Sequence, residues 1–262
     1  MNRISLIVRI VAWVLPTIAA SCGALQAQTI DGGFDRVLTP GGTPARIGPY
    51  AGVTYSLHSG RFVTTERNVV CCEFNEGRGF GPAAGVTMSL PLSEAFFLRP
   101  AVGFEARGGS FESTPEVLPI FGRNNDVESM TFQSTLDVSL ATVAVEAMAG
   151  YRLGASGLYV TAGPAASVVL SERYRKSERI VGPTGVTYLD GSTEKVLFDG
   201  DMDLVRSTLL SARAGIGATL PIAEGVWIAP EVIYSHPLGA ASTTDEWSVA
   251  GVHASVAVLF DL

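Results

Sequence analysis

Eight stretches of this chain alternate bulky apolar side chains with small ones at a period of two. In "IGPYAGVTYSLH" (47–58), Ile47, Pro49, Ala51, Val53, Tyr55 and Leu57 share one face of an extended strand, and Gly48, Tyr50, Gly52, Thr54, Ser56 and His58 share the other, because successive strand side chains point to opposite sides. Segments 79–90, 95–107, 142–152, 157–170, 208–220, 226–235 and 247–262 repeat the partition. In the last of them Ala250, Val252, Ala254, Val256, Val258, Phe260 and Leu262 make one face wholly apolar. Each stretch has about the 9–11 residues that a tilted membrane-spanning strand needs.

The connections alternate as strictly as the side chains. "PLSE", "LGAS" and "AEG" are of hairpin-turn length, whereas the segments near 59–78, 110–133 and 172–203 are long and the one near 239–245 is intermediate. Short and long links in turn predict an all-β fold: an eight-stranded antiparallel up-and-down transmembrane β-barrel with tight periplasmic turns, longer external loops and both termini on the periplasmic side. A soluble calyx, such as a lipocalin, is the competing architecture. It would turn the bulky face inward and show water a face of mostly Gly, Ala, Ser and Thr, which suits the narrow, side-chain-filled interior of an eight-stranded barrel better. Charged residues make up only 16% of the chain, against roughly a quarter in ordinary soluble domains, so something other than water faces part of the surface. Tyr55, Phe80 and Tyr234 lie on the apolar face near the external ends, and Phe96, Tyr151 and Phe260 near the periplasmic ends, as aromatic girdles would. Pro49, Pro82, Pro100, Pro164 and Pro230 each remove a ladder donor, so bulges or local gaps in pairing are expected beside them.

The N-terminus carries Arg3 and Arg9, an apolar run from Ile10 to Ala20 and small residues up to Ala27. It reads as a secretory signal peptide over 1–27, too short in its apolar run to span a bilayer. Cleavage there would move the formal charge from -7 to -9 by removing Arg3 and Arg9. A rival reading makes Cys22 of "AASC" a lipidated residue. Residues 28–46, rich in Gly and Pro, are expected to form a periplasmic leader, and 47–262 the barrel domain. The acidic balance gives no footprint for nucleic acid.

This topology, with the terminal "SVAVLFDL", resembles the small outer-membrane β-barrel domains of the OmpA/OmpX-like and PorT-like type over about residues 47–262. The resemblance implies a porin-like cell-envelope protein of a Gram-negative outer membrane, whose C-terminal strand is read by the barrel-assembly machinery. Such signals commonly end on an aromatic residue, whereas here Asp261 and Leu262 follow Phe260. It also implies outer-membrane lipids and lipopolysaccharide as surroundings, a monomer, and no cofactor.

A few charges fall on the inward face, Arg99, Glu105, Arg107, Glu146, Arg213 and Glu231, and His253 is expected to join them in one lumen network. Arg99, Glu146, Arg213 and Glu231 lie at similar heights, which predicts a two-plus-two charge layer, either an ion path or a neutralised plug; buried charges must be paired, which favours the plug. His253 and Ser255 are two apart on one strand, the residue types of a lipid hydrolase, but a nucleophile needs an oriented base and a third partner, and no acid is assignable. In the longest external segment, Arg173 and Arg175 share the inward parity with Asp199, Asp201 and Asp203 if the flanking strands continue as a hairpin, which predicts cross-strand ion pairs. A cation on the aspartates or a lipopolysaccharide phosphate on the arginines are weaker alternatives, and no metal site is assigned. Adjacent Cys71 and Cys72 could form a vicinal disulfide in an oxidising compartment. The reading is a non-enzymatic barrel with a structural or interaction role; its rivals are an outer-membrane lipid hydrolase resembling the lipid A deacylases and a secretion accessory of the PorT-like kind.

Overall fold

A computed structural model describes residues 43–66, 69–121, 127–201, 205–243 and 246–262, with side chains omitted for 61–73 and 120–128. The signal peptide 1–27, Cys22 and nearly all of the leader lie outside the described residues. The chain folds as twelve β segments: β1 (Arg46–Glu66), β2 (Val69–Pro91), β3 (Phe96–Ala106), β4 (Gly109–Glu112), β5 (Glu116–Phe121), β6 (Val127–Arg152), β7 (Leu158–Gly182), β8 (Glu194–Asp201), β9 (Thr208–Ala218), β10 (Leu220–Ala223), β11 (Val226–Pro237) and β12 (Ser248–Asp261). All pairings are antiparallel, and they run β1–β2–β3–β6–β7–β9–β11–β12. Pairing of β1 with β12, from Arg46 opposite Asp261 to Ser59 opposite Ser248, closes the circuit. Closure satisfies the edge of the apolar terminal strand, which is the only way a sheet can stand in lipid. The segments β4, β5, β8 and β10 extend the walls at their ends.

The two faces follow the period-two pattern through the barrel wall. Along β12, Gly251, His253, Ser255, Ala257 and Leu259 are buried, while Ala254, Val256 and Phe260 are exposed. Outside, the cross-strand pairs Tyr55–Phe80 and Phe96–Tyr151 bring their rings to 4.7 Å and 5.1 Å at opposite ends of the apolar belt, as interfacial girdles do. The tight turns use left-handed glycines: Gly157 (φ 75°) and Gly225 (φ 69°) adopt a conformation that costs other residues steric strain. Inside, large rings lie against residues without a side chain. A Cβ at Gly103 would overlap the Tyr50 hydroxyl, and one at Gly217 the Tyr159 ring.

The prolines produce gaps rather than bulges. Register is unbroken across each of these three positions, but pairing lapses beside Pro49 toward β12, beside Pro100 toward β2 and beside Pro164 toward β6. One ladder bond is lost on one side, and the other neighbour still holds the strand.

Two expectations need correction on the external side. The segments near 59–78 and 172–203 are largely paired strand, because the β1–β2 and β7–β8 hairpins, the second with β6 alongside β7, continue well past the apolar belt. Irregularities between Ser59 and Phe62, between Ala141 and Thr142, and between Lys176 and Ser177 break the alternation there, so a period-two reading stops short. The second correction concerns Arg173 and Arg175. Thr142 opposes Val169 and Ala141 opposes Ser171, leaving Leu170 unpaired as a bulge. One extra residue exchanges the two faces, so Glu172 and Lys176 are buried while Arg173 and Arg175 point outward.

Above the belt, Phe74, Phe111, Leu136, Leu140, Trp247 and Val249 form a buried apolar cluster with Val138, Val169, Val205 and Ala241. His58 sits beneath it, its Nε2 3.0 Å from the Gly108 carbonyl, its Nδ1 accepting from Trp247 Nε1 at 3.2 Å, and its ring stacked on Trp247.

Candidate functional site: an ionic chain across the lumen

Inward parity on β3 delivers Arg99 and Glu105, and Arg107 follows directly after the strand; β6 delivers Glu146, β9 Arg213 and β11 Glu231. The structure brings all six together as one unbranched chain of alternating sign. Glu231 Oε2 lies 2.6 Å from Arg99 Nη2, and Arg99 Nη1 lies 2.8 Å from Glu146 Oε1. Glu146 Oε2 is 2.7 Å from Arg213 Nη1, which reaches Glu105 Oε1 at 2.8 Å. Glu105 Oε2 accepts from Arg107 Nη2 at 2.6 Å and Nε at 3.0 Å. Thr161 Oγ1 donates to the remaining oxygen of Glu231 at 3.1 Å.

Three guanidiniums and three carboxylates cancel formally. Each is buried, and taking even one such ion from water costs several kcal/mol unless it is paired and hydrogen-bonded. The alternation meets that requirement: every interior member of the chain has an opposite charge on both sides. Chemically the arrangement can hold the strands in register and fill the lumen; it offers no unpaired carboxylate to act as a base.

His253 stands apart from the ion pairs. Its Nδ1 is 3.2 Å from Thr54 Oγ1 and its ring meets Tyr50 edge-on at 5.9 Å. No hydrogen bond joins it to Ser255, which is buried lower in the lumen. Among the described residues, no group of three or more His, Cys, Asp or Glu side chains is placed to hold a metal ion.

On the external hairpin, Arg173 stands opposite Asp201 and Arg175 opposite Asp199, and Arg173 Nη2 reaches Asp199 Oδ1 diagonally at 3.4 Å. Asp203 lies outside the described residues. Cys71 and Cys72 run within β2, but their side chains are outside the described set, so the vicinal disulfide stays an expectation. At the hairpin tip, Tyr188 Oη donates to Glu178 Oε1 at 2.8 Å, and burial together with that bond raises the phenol pKa. The Asp190 carboxyl is held below its usual range by the Ser192 N–H and hydroxyl, at 2.9 Å and 2.7 Å.

Sequence reasoning passed over a second cluster at the periplasmic end. Asp261 Oδ1 accepts from Arg46 Nε at 2.9 Å and from Trp227 Nε1 at 3.0 Å, and the Arg46 guanidinium lies 3.7 Å from the Trp227 ring centre. The residue that departs from an aromatic ending therefore ties the first strand to the last two. Parity alone could not reveal this, because the contact depends on the β1–β12 register.

No curated protein matches this chain. Among solved structures, the Yersinia pestis attachment invasion locus protein Ail is 10% identical, covering 83% of this chain and 100% of that one, with a TM-score of 0.34. Neisserial surface protein A is 12% identical, covering 82% and 99%, with a TM-score of 0.35. The Escherichia coli outer membrane protease OmpT is 8% identical, covering 90% and 100%, with a TM-score of 0.36. The family model described as outer membrane protein beta-barrel domain matches residues 26–241, so the chain belongs to the outer-membrane β-barrel domain family.

Proposed function

We propose that the protein is a sealed outer-membrane barrel with a structural or interaction role, meeting its partners at its water-facing ends and passing no solute. The ionic chain carries this reading: six buried charges span the lumen with every carboxylate paired, and the apolar cluster around Trp247 lies outward of it. A narrow barrel so filled has no continuous water path. Export through a signal peptide removed after Ala27, residence in a Gram-negative outer membrane amid lipopolysaccharide, assembly by the barrel-assembly machinery and a monomeric state belong to the same reading.

Planar-bilayer recording tests it. The purified chain is expected to give no stable conductance, and discrete channel openings would overturn the proposal. N-terminal sequencing of outer-membrane protein should begin at Gln28; a blocked, lipidated Cys22 would refute the cleavage site. Lipid hydrolysis finds little support in the geometry, since His253 pairs with Thr54 and has no carboxylate partner. A His253→Ala variant should leave the host's lipid A profile unchanged.

A further inference from the structure

The lumen is closed outward, yet a cavity of about 220 Å³ opens at its short-turn end. Its floor is the Arg99–Glu231 pair of the ionic chain, and its rim carries Arg46 and Arg152. Phe97, Tyr159 and Trp227 supply ring surface between them. A cavity of about 150 Å³ can hold a benzene-sized ring, so this one accommodates a single ring or short chain with one head group.

The rim is cationic in an unusual way. Arg46 is already engaged by Asp261 and stacked on Trp227. Arg152, half-buried at the end of β6, gives Nη1 to the carbonyls of Ser93 at 3.4 Å and Glu94 at 3.0 Å. Among the described residues no carboxylate pairs with it, although every other guanidinium lining this cavity has one. A planar guanidinium fork matches an oxyanion and is held at some cost when it faces a half-buried space without one.

We propose that this mouth binds a small periplasmic organic anion, its carboxylate or phosphate on Arg152 with Arg46 alongside, and its apolar body against Phe97, Tyr159 and Trp227. The ligand enters and leaves on the periplasmic side, because the ionic chain blocks the way outward. The proposal goes beyond the sealed-barrel reading: the side of entry rests on that reading, whereas binding at Arg152 can fail while the barrel stays closed.

Titration of the full chain in nonionic detergent with benzoate, phenyl phosphate and the uncharged isostere benzamide tests the site, read by calorimetry. Benzoate or phenyl phosphate should bind at least about tenfold more tightly than benzamide, and Arg152→Gln should remove about tenfold of that affinity. Arg173→Gln on the distant external hairpin should change nothing. If Arg152→Gln fails to fold, Arg152→Lys, which keeps the charge and loses the fork, should still weaken binding severalfold. Equal binding of benzoate and benzamide, no binding up to about 10 mM, or an Arg152 variant indistinguishable from the parent would overturn the proposal.

Discussion

The same chemistry occurs twice in this barrel with opposite consequences. In the lumen, Arg213 meets Glu105 at 2.8 Å with side-chain exposures of 4% and 1%. On the external hairpin, Arg173 meets Asp199 at 3.4 Å with exposures of 64% and 53%. Water solvates the second pair whether or not it forms, so its net worth is small. The first pair has no such alternative: each member must be matched or the fold carries an uncompensated buried charge. Arginine–carboxylate contacts thus fix the middle of the barrel and merely decorate its crown.

Removing one partner from the lumen breaks the comparison most sharply. Arg213→Met leaves Glu105 with Arg107 alone and Glu146 with Arg99 alone, three buried carboxylates against two guanidiniums, and should cost about 3–5 kcal/mol. Urea unfolding in lipid vesicles, read as heat-modifiable gel mobility, measures it. A loss below about 1 kcal/mol, the scale of an exposed pair, would show that the lumen is wetter than its burial indicates. Next in size is the apolar cluster outward of the ionic chain, on the same β6 that carries Glu146. Leu136 is almost fully buried there, so Leu136→Ala should cost about 2–5 kcal/mol through lost transfer energy and the cavity left behind. A near-neutral result would mean that the external hairpins stand apart from the barrel core.

Legibility in the sequence divides at the same boundary. Within the belt, alternation placed Val256 outward and Ser255 inward, and the inward parity of Arg99, Glu146, Arg213 and Glu231 was readable on their four strands. Their exact partners were not readable, because pairing depends on stagger between strands that are far apart in sequence. Outside the belt the rule breaks on single residues. Leu170 bulges and turns Arg173 outward, an event with no mark in the apolar pattern, since Val168, Val169 and Leu170 are apolar on both faces. Nothing in the chain tied Trp247 to His58 or Phe111. Asp261 looked like a defect in the terminal strand until the closed register set it against Arg46.

The exposed pair supplies a smaller test. Arg173→Ala should change stability by no more than about 1 kcal/mol, and the difference should shrink as salt is raised toward molar concentrations, where the screening length falls to about 3 Å. An effect as large as that of Arg213→Met would mean that the crown is desolvated, by lipopolysaccharide for instance, and the contrast between the two sites would vanish.

The smallest effect concerns the hairpin tip, where the sign follows from protonation. The Asp190 carboxyl has its pKa lowered by the Ser192 N–H and hydroxyl. A group whose folded pKa is depressed contributes stability above its unfolded value and loses that contribution as pH falls through the folded one. Protection of the Ser192 amide from hydrogen exchange should therefore be full at neutral pH and decline on acidification below the usual aspartate range, with Asp190→Asn blunting the dependence. The ionic chain, being buried and mutually paired, should keep its own amides protected over the same window. If both regions loosened together, the crown and the lumen would be one cooperative unit, and burial would no longer explain why equivalent charges behave differently in the two places.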